Sequence, residues 1–259
     1  MSTTTASTTK FARDTRTMFV REFAPVLHAP VSLLFTMAQP LLFLFLFGSM
    51  LAGTQDFGGD GASWQWFVPG ILIMMSLFGP MLAGYNLLVE LLGGSMERML
   101  VTPLDRTAML IGRTLKEMVL LLAQSLLIIG LAAPLGFRVH PVGVLAGLAL
   151  LVVFGIGLGA LSFALAIASQ PSGELFYGIT QLLLFPLMLL SGVMLPLDFG
   201  PSWLQIVGAV NPVAYIVDAE RSLFAGQITD VSVLYGIVSA CAIAAAGLAL
   251  GNRSMRRAV

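Results

Sequence analysis

The chain has 259 residues, 58% of them hydrophobic and 10% charged, with no formal net charge. A water-soluble domain carries about 25% charged residues to cover its surface, so this composition excludes one, and the balanced charge offers nothing to nucleic acid. The single Cys241 excludes an intrachain disulfide, and the two histidines, His28 and His140, are too few for a zinc site.

Residues 1–9 are Ser/Thr-rich and uncharged, without the basic start and apolar core of a signal peptide, and read as a disordered cytoplasmic tail. Residues 10–24 form an amphipathic helix. Phe11, Ala12, Met18, Phe19 and Phe23 share one face, Lys10, Arg13, Asp14, Arg16 and Arg21 the other, and Val20 and Glu22 break the pattern. This predicts a helix lying in the membrane interface, with a solvated helix as the alternative. The first membrane span is predicted over 31–51. Gln39-Pro40 near its centre predicts a kink with an unsatisfied carbonyl that turns from lipid towards a partner helix or a cavity. The alternative is a kink alone. Gln181, in the predicted fifth span, joins Gln39 as a candidate pathway residue.

Further spans follow over 67–91, 115–135, 142–168, 175–195 and 231–250, each near the 20 or so apolar residues that cross a bilayer as a helix. The run Gly155, Gly157 and Gly159 lies inside a span and predicts close helix packing rather than phosphate binding. Between the second and third spans, Thr102 caps a helix with Pro103 and Asp105 in its first turn. The segment 95–101 before it is short and amphipathic, suited to a soluble partner's groove or to a plain solvated turn. Before the last span, 196–230 is too long for a simple turn. Asn211 caps a helix that Pro212 opens, and Asp218, Glu220 and Arg221 fall in its second half. A helical hairpin pressed into the outer leaflet is predicted there, with an ordinary external loop as the alternative.

In this six-span arrangement Lys10, Arg13, Arg16, Arg21, Arg98, Arg106, Arg113, Lys116, Arg253, Arg256 and Arg257 all fall on one side. The positive-inside rule makes that side cytoplasmic, with both termini inside, and Trp64, Trp66 and Trp203 on the outer side. No GxxxxGK[ST] loop and no nucleophile–base set is present, which argues against a nucleotide site or a catalytic centre. Glu90, Glu117 and Glu174 lie near span ends, and so few intramembrane charges argue against an ion-coupled carrier, the alternative function. A membrane-embedded enzyme would need a convergent polar site.

The stretch MERMLVTPLDRTAMLIGRTLKE resembles the loop between the second and third spans of ABC-2 type transporter permeases. NPVAYIVDAERSLFAG resembles that family's motif before the last span, and LSGVMLPLDFGPSWLQ lies just upstream of it. The likeness covers nearly the whole chain, 10–259, and points to daunorubicin-resistance-type exporters of drugs and lipids. It implies an all-α fold of six transmembrane helices with an N-terminal interfacial helix and a re-entrant external hairpin. It implies a permease in the cytoplasmic membrane, paired with a second copy or a homologous subunit and surrounded by lipid. Two separate cytoplasmic ATPase subunits would carry the ATP and Mg. Glu97, Arg98, Met99 and Leu100 would form the coupling helix against the ATPase. Asn211 and Pro212 would open the re-entrant helix, and Asp218, Glu220 and Arg221 would sit near the outer exit. At 220 many family members carry an apolar residue where this chain has glutamate.

Overall fold

The computed structural model describes residues 3–51, 63–93, 106–194, 197 and 200–257. Its regular elements are helices, α1 (Thr3–His28), α2 (Pro30–Leu51), α3 (Ser63–Leu92), α4 (Arg106–Ala132) with a 3₁₀ turn over Ala133–Leu135, α5 (Pro141–Ala168), α6 (Glu174–Leu189), α7 (Ser202–Val210), α8 (Pro212–Phe224) and α9 (Val231–Arg257). An all-helical architecture suits a chain this poor in charge, because a helix satisfies its own backbone without water.

Four stretches are long and apolar enough to cross a membrane: Trp64–Leu92, Ala108–Leu135, Pro141–Ala168 and Val231–Ser254. A fifth exists if Lys10–His28 and Leu33–Leu46, bent by 73°, act together. Six spans were expected, and two of them differ. The predicted first span does not stand alone but continues α1 through that bend. Ala29 separates the two helices, and Pro30 opens α2, since the residue before a proline disfavours the helical conformation. The predicted 175–195 span ends early, because α6 has 16 residues. That is about 24 Å of helix, short of the roughly 30 Å hydrocarbon core. The chain leaves it through a turn in which Ser191 Oγ donates to the Met188 carbonyl (2.7 Å) and Gly192 takes a positive φ of 72°.

The N-terminal helix starts at Thr3 rather than after a disordered tail. Once a helix is nucleated, extending it costs little per residue. Its apolar face is divided. Met18 is buried on α4, where Gly112 lets the two backbones close, while Phe19 and Phe23 stack on each other at 5.3 Å. Glu22, which spoils the amphipathic pattern, faces Arg113 of α4 at 3.4 Å.

The centre of the molecule is α3, with 83% of its apolar stretch buried. α5 packs beside it and α9 lies against α5. The glycine run performs the packing its composition implied. A Cβ at Gly157 would stand 2.7 Å from the Ala244 backbone of α9. α7 and α8 form the expected helix pair before the last helix, joined at Asn211.

Candidate functional site

α2, α3 and α6 enclose a cavity of about 420 Å³. Proline has no N–H to return to the carbonyl four residues back, that of Thr36, and Thr36, Gln39 and Pro40 all line the cavity. From the other side come Thr180 and Gln181 of α6, and Gln124 of α4 joins them. The two pathway residues expected from sequence, Gln39 and Gln181, therefore meet in one space although 142 positions apart. The wall around these amides is aromatic and thioether: Phe35, Phe78, Tyr85, Phe176, Tyr177 and Phe185, with Met74, Met75 and Met81. Such a lining is adaptable and apolar, with a few polar groups to orient a guest. Gln124 was not singled out by the sequence; its only signal was an amide inside an otherwise aliphatic run.

At the end of the cavity nearer α1, charged groups bind three helices together. Arg113 of α4 pairs with Glu90 near the end of α3 and with Glu22 of α1, and Lys116 pairs with Glu117 at 2.7 Å. The Arg113 side chain is 6% exposed, and an enclosed cation needs this kind of carboxylate company. The network holds the ends of α3 and α4 from which residues 94–105 depart. Glu97, Arg98, Met99 and Leu100, expected to couple to an ATPase, lie in that connection, outside the described residues.

The opposite end is held by α8 and the turn after α6. Asn211 performs the capping predicted for it. Its side-chain oxygen accepts from Val213 N (3.0 Å), its amide donates to the Leu187 carbonyl of α6 (2.7 Å), and Pro212 occupies the first helical position. Arg221 lies 3.8 Å over the Trp66 ring, donates to the Gly192 carbonyl (2.8 Å) and approaches Asp218 at 3.9 Å. Both charges line a second opening of about 470 Å³ beside Trp66, Gln205 and Tyr215. Burial pulls the Arg221 pKa down to about 10, with Asp218 opposing the shift, so it stays a cation at neutral pH. Trp66, placed with Trp64 and Trp203 by the sequence reading, is the platform for this guanidinium. Nearby, Gln65 donates to the carbonyls of Arg138 (2.8 Å) and Phe224 (2.6 Å), tying α3 to the end of α8.

Glu220 does not join Asp218 and Arg221, with which sequence grouped it. Successive helical residues point about 100° apart, and Glu220 turns inward against α5, where a Cβ on Gly147 would lie 2.5 Å from Oε2. It is fully buried, and neither carboxyl oxygen has a hydrogen-bond partner. Burial alone pushes its pKa up to about 8.

Comparison with known proteins adds a second line of evidence. The sequence model described as ABC-2 type transporter matches residues 13–225. A putative transport permease, ycf38, of Cyanophora paradoxa is 29% identical over 83% of this chain and 75% of its own length. The daunorubicin resistance ABC transporter permease protein DrrB1 of Streptomyces coeruleorubidus is 28% identical over 77% of this chain and 70% of its own. A probable doxorubicin resistance ABC transporter permease protein, DrrC, of Mycobacterium tuberculosis is 24% identical over 92% and 84%.

Proposed function

Because the chain belongs to the ABC-2 type transporter family, we propose that it is the membrane subunit of an ATP-driven exporter that moves a hydrophobic drug-like or lipid molecule out of the cytoplasmic membrane. It is an integral membrane protein, and its apolar helices form the transport unit. In this proposal two copies of a separate ATPase supply the ATP and Mg chemistry, and a second permease completes the path. The observation that carries the substrate side of this reading is the cavity between α2, α3 and α6. There Gln39 and Gln181 meet in an aromatic and methionine wall, which suits an apolar guest with a few polar atoms.

The proposed topology keeps six passes with both termini inside. α2 is the first pass after the 73° bend. α6, extended by the buried turn residues Ser191 and Val193, is a short fifth pass. α7 and α8 re-enter from outside and do not cross. ATP binding closes the ATPase pair and presses on segment 95–101. The Arg113 ion pairs carry that push into α1, α3 and α4. The helices then rock between two states, with ATP biasing the equilibrium by its differential affinity. An ion-coupled carrier draws less support, since its candidate carboxylates Glu90 and Glu117 are already engaged by Arg113 and Lys116.

The test is co-purification with the ATPase in mild detergent, followed by ATP hydrolysis measurements on Glu97→Ala and Arg98→Ala. We expect a stoichiometric ATPase with wild type and loss of its assembly or stimulation in both variants, with membrane insertion intact. Full activity in both would remove these residues from the coupling role, and a chain that carries no ATPase under any mild extraction would overturn the exporter reading.

A further inference from the structure

The main cavity does not stop at Gln124. A second cavity of about 310 Å³ shares Thr36, Met75, Gly79, Leu82 and Gln124 with it and runs on between the end of α1 and α4. The two make one cleft with different ends. The deep end is aromatic, and the end near α1 is polar, with Asn86, Lys116 and Glu117 in its wall. Nothing in the proposed export reading assigns this polar arm a ligand.

We propose that it is a headgroup site for a zwitterionic phospholipid carrying a primary ammonium, whose acyl chains lie in the aromatic arm. This rests on the cleft being the substrate path. Three observations define the ligand. First, the two charged side chains in the arm are bound to each other, Lys116 to Glu117 at 2.7 Å, and are 11% and 14% exposed. Breaking a poorly hydrated ion pair from one side strands the other charge, which is strongly unfavourable. A purely cationic head that took Glu117 would strand Lys116, and a purely anionic head that took Lys116 would strand Glu117. A head carrying both charges gives each side chain a new partner.

Second, the neighbouring cation cannot take over. Arg113, three residues before Lys116, is already held by Glu22 and Glu90. Third, Asn86 and Gln124 line the same arm. Their amide oxygens, with the Glu117 carboxylate, make a set of acceptors suited to the three N–H donors of a primary ammonium. Lys116 is left for the phosphate as a point charge. By the positive-inside argument this end is cytoplasmic, so the lipid would enter from the inner leaflet with its head at the α1–α2 bend.

The test needs no ATPase, so its failure is separable from failure of the exporter reading. The full chain, purified in detergent, is loaded with phosphatidylethanolamine, phosphatidylglycerol or a cationic trimethylammonium lipid of the same acyl chains, and bound lipid is counted by native mass spectrometry. We expect phosphatidylethanolamine to bind about tenfold more tightly than either of the others, the scale of one hydrogen bond to a charged group. Lys116→Gln and Glu117→Gln should each erase that preference. The exchanged pair K116E/E117K keeps both charges in the arm and should retain it; this variant also carries the test if a single substitution fails to fold. Equal binding of the three lipids, a preference for the anionic or the cationic lipid, or a preference that survives both Gln variants would overturn the proposal. An ATPase-competent chain with no lipid preference would sink this site alone.

Discussion

Between α5 and α9 the backbones touch. Gly157 leaves no room for a Cβ against Ala244, and Gly247 closes on the Gly157 carbonyl from the other side. Between α2 and α6 lies a cavity instead, and Gly79 of α3, which lines it, has nothing within 4 Å of the place its Cβ would take. Both regions are written in the same apolar alphabet. The first uses small residues to bring rigid elements into contact, and the second uses long, adaptable side chains around a gap. The seam is therefore the fixed frame, and the α2–α6 wall is the part able to rearrange around a guest.

The sharpest way to break this comparison is to place the same side chain in both. Gly157→Val drives two methyl groups into backbone that has no rotamer to change. We expect a loss of about 1–3 kcal/mol, as overpacking usually brings, and a fall in thermal midpoint measured by intrinsic fluorescence in detergent. Gly79→Val fills empty space and removes a helical glycine, so stability should stay within about 0.5 kcal/mol. Equal losses would mean that the wall is as tightly packed as the seam.

A smaller effect comes from Glu220, a buried carboxyl of α8 without a hydrogen-bond partner, set against α5 of the frame. The folded state keeps this carboxyl protonated to about pH 8, against an ordinary value of 4.5. The stabilisation linked to that proton is fully present below 4.5 and is lost as pH rises towards 8, because the unfolded chain gives up its proton first. The charged groups on the surrounding elements are committed elsewhere. His140, the residue before α5, contacts the Phe224 carbonyl, Asp218 and Arg221 face each other, and Asp230 accepts from Ser232 N. Wild type should therefore lose thermal midpoint between about pH 4.5 and pH 8, while Glu220→Gln, neutral throughout, should lose less and be the more stable of the two at pH 8 and above. Parallel curves would mean that water or another group reaches the carboxylate.

The frame was far more legible in sequence than the wall. Long apolar runs set the helices of the core, the Gly155–157–159 spacing announced the seam, and Asn211-Pro212 announced a cap, because each signal is local to one helix. Gln39 and Gln181 were picked out as polar atoms in apolar spans, yet nothing in the sequence says that they meet, since that depends on how α2 and α6 lean on α3. The bend before Pro30 and the early end of α6 escaped for a related reason. Hydrophobicity measures how much chain suits lipid and not where a helix stops. The shared reach of Asp218 and Arg221, and the inward turn of Glu220, follow from helix phase, which a list of charged residues does not carry.

The least disruptive substitutions test the wall itself. Gln39→Leu and Gln181→Leu both replace an exposed amide that lines the cavity, so neither should move stability by more than about 0.5 kcal/mol. Their effect should appear in the guest. If one molecule occupies the cavity and touches both amides, the two losses of binding cannot be independent. The double variant should then depart from the sum of the singles by about 0.5 kcal/mol or more, the usual mark of residues that share a partner. The measurement is titration of the purified chain with a fluorescent apolar amine, across wild type, both singles and the double. Strict additivity would place the glutamines against separate guests, and the α2–α6 wall would then enclose two sites that happen to share an opening.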